Sequence, residues 1–111
     1  MVSRYIPEEG DIVWLEYDPQ AGHEQAGHRP AVVLSRKAYN RKTGLAIFCP
    51  ITSRVKGYPF EVTVNGRKIR GAILSDQVKS FDWKARRAKR IEKLDDESFA
   101  DVIAKLSSII Q

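Results

Sequence analysis

What most constrains this chain is a succession of short apolar runs, each closed by a turn signal, with one amphipathic stripe after them. Asp11 to Tyr17 alternates, with Ile12, Trp14 and Glu16 on one side and Val13, Leu15 and Tyr17 on the other. That pattern predicts a strand that is apolar on both faces and ends at Asp18-Pro19. Pro30 to Ser35 holds an unbroken Ala-Val-Val-Leu run suited to a central strand, and Pro30 fits at its first residue, where no ladder donor is needed. Leu45 to Ile51 predicts a third strand with Thr52-Ser53 at its end, and Phe60 to Val64 a fourth, closed by the reversing dipeptide Asn65-Gly66. Gly71 to Leu74 begins another, leading into Ser75-Asp76-Gln77-Val78-Lys79. Trp83 to Ile91, dense in Lys and Arg, is a further extended candidate.

Two segments break the strand pattern. Arg36 to Gly44 is polar and predicts a short helix with Ala38 and Tyr39 as its anchors. Phe99, Val102, Ile103, Leu106, Ile109 and Ile110 recur at threes and fours, which predicts a terminal helix with one apolar stripe packed on the sheet. Asp95, Asp96 and Glu97 stand at its N-terminal end, where the helix dipole favours negative charge. Short strands at regular spacing and one terminal helix predict a mainly β fold, an SH3-like β-barrel with a C-terminal helix. A length of 111 residues suits a single domain, 1–111, with one core.

Charge narrows the partners. A formal net charge of +5 favours an anionic one, with nucleic acid ahead of an acidic protein segment or a membrane surface. Cys49 is the only cysteine, so neither an intramolecular disulfide nor a Cys-rich zinc site is available, and it reads as a small buried hydrophobe. No stretch reaches signal-peptide or membrane-span length, so the expectation is a cytoplasmic protein without membrane contact. Gly22 to Pro30 gathers both histidines, His23 and His28, with Glu24 and Arg29, just ahead of an apolar strand. Polar loops on rigid strands commonly carry function. Two histidines in one loop do not make a zinc site, and no metal or cofactor is expected.

Four segments fall in order along the chain: Gly10-Asp11-Ile12-Val13-Trp14, Glu24 to Ser35, Lys56-Gly57-Tyr58-Pro59-Phe60-Glu61-Val62, and Ser75-Asp76-Gln77-Val78-Lys79-Ser80. They resemble the MazF/PemK toxin family over nearly the whole chain, the likeness weakening in the terminal helix. The resemblance implies an SH3-like barrel acting as a homodimer. It implies an endoribonuclease of a toxin–antitoxin system that cuts single-stranded RNA, chiefly mRNA, at a short ACA-like sequence and arrests translation. It also implies neutralisation by a cognate MazE-like antitoxin whose acidic tail covers the groove. Two rivals remain, a non-catalytic RNA-binding barrel and a CcdB-like gyrase poison. The gyrase poisons resemble one another in a terminal Trp-Gly-Ile, whereas this chain ends Ser108-Ile109-Ile110-Gln111.

RNA carries its own nucleophile, the 2′-OH, so such an enzyme needs a base, an acid and donors for the phosphorane charge, leaving 2′,3′-cyclic phosphate and 5′-OH ends. Arg29 matches the family's essential arginine, and its fork of donors suits two phosphate oxygens. Thr52 stands where the family carries a second catalytic position, able to donate to phosphate or orient Arg29. Glu24 and Asp76 are equal candidates for the base. His28 could shuttle a proton, because imidazole titrates near neutrality, unless strand alternation turns it away from Arg29. Lys56, Tyr58, Gln77, Lys79, Trp83 and Arg86 are the candidate RNA contacts. Arg67, Lys68, Arg70, Lys84, Arg87, Lys89 and Arg90 could add phosphate contacts, and Tyr58, Phe60 and Trp83 could stack bases.

Overall fold

The computed structural model describes residues 5–16 and 28–111. Its strands are β1 (Asp11–Glu16), β2 (His28–Val33), β3 (Leu45–Thr52), β4 (Glu61–Asn65), β5 (Arg70–Leu74), β6 (Lys79–Asp82) and β7 (Lys89–Lys93). The helices are α1 (Lys37–Thr43) and α2 (Asp96–Ile110). All strand pairings are antiparallel, in the order β4-β5-β3-β2-β1-β7, with β6 also on β3.

The two-faced apolar pattern of β1 is the reason the sheet curls. Ile12 pairs with Val32 and packs with Cys49, Ile51, Val64, Ile73 and, from α2, Val102. Val13 and Leu15 turn the other way, onto Ala31, Val33, Ala46 and Phe48, with Tyr5, Phe81 and Trp83 covering that second cluster. A flat sheet could not bury both faces of its central strands in so short a chain; a half-barrel with one terminal helix does.

The strand boundaries depart from expectation in three places. β2 begins at His28, so Pro30 is its third residue rather than its first. Pairing with β3 starts only at Ala31, opposite Pro50, so Pro30 faces no ladder partner on that edge. Pro50 is tolerated similarly. β3 pairs with β6 through Phe48 and with β5 from Ile51, and Pro50 stands in the interval between these partners. The segment Trp83 to Ile91 is not extended throughout. Asp82 accepts the N–H groups of Lys84 and Ala85 at 3.1 and 2.9 Å and closes a turn, in which Arg87 takes φ 53°, before β7 starts at Lys89.

Both helices form where periodicity puts them, with different anchors. In α1 the buried residue is Asn40, whose amide donates to the carbonyls of Pro7 and Ser35, while Ala38 and Tyr39 are exposed. Gly44 then ends the helix in the left-handed region at φ 76°, as its place after the last turn suggests. In α2, Asp95 caps the Ser98 amide at 2.9 Å, and Phe99, Val102, Ile103 and Leu106 pack on the sheet. Ile109 and Ile110, expected in the same stripe, are exposed because the helix has run past the core. Among the described residues no helix is long and apolar enough to cross a membrane.

The two ends of the curled sheet meet through one side chain. After β4, Asn65 still pairs with Arg70, and the Gly66 amide donates to the Ile69 carbonyl at 2.9 Å, so the reversal spans four residues instead of the two expected of Asn-Gly. From β7, at the far end of the strand order, Glu92 accepts the N–H groups of Arg67, Lys68 and Ile69 at 3.0, 3.0 and 2.9 Å.

Candidate active groove

The β2–β3 register fixes the relation between Arg29 and Thr52. The ladder pairs Val33 with Phe48, Val32 with Cys49 and Ala31 with Pro50. Continued two residues past its last pair, it sets Arg29 across from Thr52, with both side chains on one face. Both line a groove of about 770 Å³, together with Arg54, Lys68, Arg70 and Lys79. Gln77 also lines it, and among the described residues no Asp or Glu does. A cleft lined by one sign of charge concentrates anions. The Thr52 hydroxyl accepts the Arg54 amide at 3.1 Å, which leaves its hydrogen to donate elsewhere.

A second pocket of about 440 Å³ shares Thr52, Arg54, Leu74 and Gln77 with this groove and extends it past Lys56, Tyr58, Glu61 and Asp76. Glu61 shapes the basic turn by accepting the amides of Lys56 and Gly57 at 3.1 and 3.0 Å. Tyr58 donates its hydroxyl to Asp76 Oδ2 at 2.6 Å. That bond, followed by desolvation and the Asp76 charge, pushes the phenol above its usual range. Asp76 Oδ1 is buried and has no hydrogen-bond partner among the described residues. Burial first, then the Asp76 charge, raises the Cys49 thiol to about 12, so this cysteine stays a protonated core residue. Its Sγ lies 3.8 Å from the Ser75 carbonyl.

The remaining candidates are distributed unequally. Lys56, Tyr58, Gln77 and Lys79 border the two adjoining pockets. His28 does not line either. Strand alternation turns it toward Glu16, with Nε2 4.0 Å from Oε2, in a separate pocket with Trp14, Arg87 and Lys89. Trp83 and Arg86 line neither of the two adjoining pockets. Trp83 packs on the second core cluster and donates Nε1–H to the Asn40 carbonyl at 2.9 Å. Arg86 lies over the Phe81 ring, 4.0 Å from its centroid, and donates Nη1 to the Glu16 carbonyl at 3.3 Å. Glu24 and His23 lie outside the described residues.

Sequence reading missed Arg54 as a groove residue and Glu92 altogether. Arg54 was legible as the second residue after Thr52. Glu92 had no local signal, because its three amide partners are more than twenty positions away. Asp11 was read only as a strand residue. It is buried, and receives the Tyr5 hydroxyl at 2.5 Å, the Glu8 amide at 3.1 Å, and Arg90 and Lys93 at 3.3 Å each. Among the described residues no three of His, Cys, Asp and Glu are grouped so as to hold a metal ion.

Comparison with known proteins finds relatives over nearly the whole chain. Residues 8–110 match the family described as PemK-like, MazF-like toxin of type II toxin-antitoxin system. The endoribonuclease toxin MazF of Escherichia coli K12 is 49% identical over 110 residues, 99% of each chain. In a MazE–MazF crystal structure from Deinococcus radiodurans, the matching chain superposes with a TM-score of 0.88 at 47% identity, covering 96% of this chain and 97% of that one. A MazF crystal structure from the same organism gives 0.85 at 50% identity with the same coverage.

Proposed function

This chain belongs to the PemK-like, MazF-like toxin family of type II toxin–antitoxin systems, and from that we propose that it is an endoribonuclease cutting single-stranded RNA in the Arg29–Thr52 groove. The observation that carries the reading is the convergence of Arg29 and Thr52, from facing strand ends, in a groove lined by cations. The 2′-OH attacks the adjacent phosphorus, the bond to the 5′-oxygen breaks, and the products are a 2′,3′-cyclic phosphate and a 5′-OH. Arg29 neutralises the two equatorial oxygens of the phosphorane, a charge that exists only on the way to product. Thr52 donates its free hydroxyl hydrogen to the same phosphate.

The proton from the 2′-OH goes to Glu24 in this scheme, and the 5′-oxygen takes one from water in the open groove. Asp76 is a poorer base, because one of its oxygens is taken by Tyr58 and the other is buried. It acts instead by holding Tyr58 against the pocket, where the ring is exposed enough to stack on a base. Lys56, Gln77 and Lys79 complete the track. His28, facing Glu16, has no part in the step. No metal is required, since the nucleophile belongs to the substrate.

The wider reading follows the family. The single domain, 1–111, works as a homodimer in the cytoplasm, cuts mRNA at an ACA-like triplet and stops translation until a MazE-like antitoxin lays an acidic segment into the groove. The solved MazE–MazF complexes support such a partner. Cleavage of a mixed-sequence single-stranded RNA in excess EDTA tests the chemistry, with fragment ends sequenced to read the site. RNA bound but uncut under those conditions would refute the metal-free route and favour a non-catalytic binding barrel. Arg29→Ala is expected to slow cleavage about 10²–10³-fold with the fold intact, the scale of losing one oxyanion donor. A wild-type rate would remove Arg29 from its role.

A further inference from the structure

We propose that the β4–β5 turn is a preorganised phosphate-binding arm of the groove, and that Glu92 is the positioning residue that holds it there. The proposal rests on the RNA reading above and extends it beyond the scissile bond. Lys68 and Arg70, on either side of the buried Ile69, are exposed and line the same groove as Arg29 and Thr52. A short turn bearing several cations has little reason to keep one conformation, because the like charges repel and the backbone amides can all be satisfied by water.

Here the conformation is fixed from outside the hairpin. Three consecutive amides, those of Arg67, Lys68 and Ile69, donate to the Glu92 carboxylate from β7. The Gly66 amide closes on the Ile69 carbonyl, and the Ile69 side chain is buried in the main core beside Leu94. Position 66 leaves room for the carboxylate, since a Cβ there would stand 2.4 Å from Glu92 Oε2. Partial desolvation pushes the Glu92 carboxyl up, but the three amides and the Lys68 charge outweigh it and hold the group below the usual carboxylate range. The acceptor is therefore ionised wherever RNA is handled. A carboxylate taking successive amides sets the path of the turn as a bound anion would.

The consequence is a groove whose outer cations are in place before substrate arrives. Side chains on an ordered backbone lose less freedom on binding than the same cations on a loose loop. Phosphates flanking the cut site would meet Lys68 and Arg70, so the arm contributes to affinity for longer RNA and not to the chemical step.

The test uses RNAs built around a mapped cut site, one of about 20 nucleotides and one of about 6, the range over which a strand outgrows a single small site. Glu92→Ala should raise KM for the longer RNA about three- to tenfold, hold kcat, and hardly move KM for the shorter. Glu92→Gln, which keeps one acceptor oxygen, should fall between wild type and Ala. The double variant Lys68→Ala, Arg70→Ala leaves the clamp intact. It should raise the same KM and flatten the dependence of log KM on log salt by about 1.4, at roughly 0.7 per phosphate contact on a single strand. Unchanged KM and salt slope in the double variant would overturn the arm, and a loss confined to kcat in Glu92→Ala would overturn the positioning role. If wild-type protein binds both RNAs but cuts neither, the cleavage reading fails alone. The arm is then decided by the same shifts in Kd and salt slope, measured by fluorescence anisotropy.

Discussion

Gly71 decides how closely β5 can approach the strand that carries Thr52. A Cβ at this position would stand 2.1 Å from the Thr52 carbonyl oxygen and 3.0 Å from its carbon, and neither is a flexible side chain that could swing aside. Gly71→Ala should therefore part β5 from β3 at Ile51 and Thr52, costing about 2–3 kcal/mol of stability and displacing the site hydroxyl. Urea denaturation gives the first quantity and RNA cleavage the second. Gly57→Ala is the control, because that position has open space around it and only its φ of 78° resists a side chain, at about 1–2 kcal/mol. Equal losses in the two variants would mean that close approach to Thr52 is not what the glycine protects. At this scale the sequence was legible where chemistry and strand position coincide. Arg29 stands near one strand end inside a segment that carries the family resemblance, Thr52 closes the apolar run of another strand, and alternation alone already raised the chance that His28 faces away. Tyr58 bonding to Asp76, or Asn40 buried beneath Pro7, needed the fold, because nothing local records a partner so far along the chain.

Elements were easiest to read where one period ruled them. β1 with two apolar faces, β3 ending at Thr52 and the stripe of α2 follow directly from alternation or from threes and fours. The stretch from Trp83 to Ile91 misled because its turn contains no Gly, Pro or Asn; the turn is made by Asp82 reaching forward to two amides. The α2 cap shows the same device at a place where sequence did point to it. Asp95 accepts the Ser98 amide, and that bond holds its carboxyl below the ordinary range. A carboxyl lowered by folding stabilises the native state above its unfolded value of 3.8, and the effect is lost as pH falls through the folded value. Asp95→Ala should thus cost about 1 kcal/mol near neutrality and progressively less as pH falls through the folded value. A difference from wild type that stays constant with pH would show that the charge and its cap do not stabilise α2.

At the scale of the whole molecule, the question is what keeps a curled sheet closed. The strand order runs from β4 to β7 without joining those two strands by a backbone ladder, so the ends are held by side chains. Ile69 and Leu94 share the main core beneath the seam, and Glu92 bridges it above by taking the three turn amides. Apolar burial closes such a seam without fixing its register, whereas three directed bonds to consecutive amides fix it. Glu92→Ala should cost about 1–2 kcal/mol, the scale of losing a strong cap, discounted because the residue is only half-buried. The cost should come mainly as faster hydrogen exchange at Arg67, Lys68 and Ile69, since the core beneath survives. Its pH dependence follows from the lowered carboxyl. The bridge is at full strength above the ordinary value of 4.5 and weakens as pH falls through the lower folded value. Wild type and Glu92→Ala should therefore differ in urea midpoint near neutrality and draw together as pH falls through the folded value, while the protection of these amides in the wild-type protein, taken against the intrinsic exchange rate at each pH, falls toward that of the variant. Protection that stays in place after Glu92 is removed would mean that the buried Ile69 alone closes the barrel.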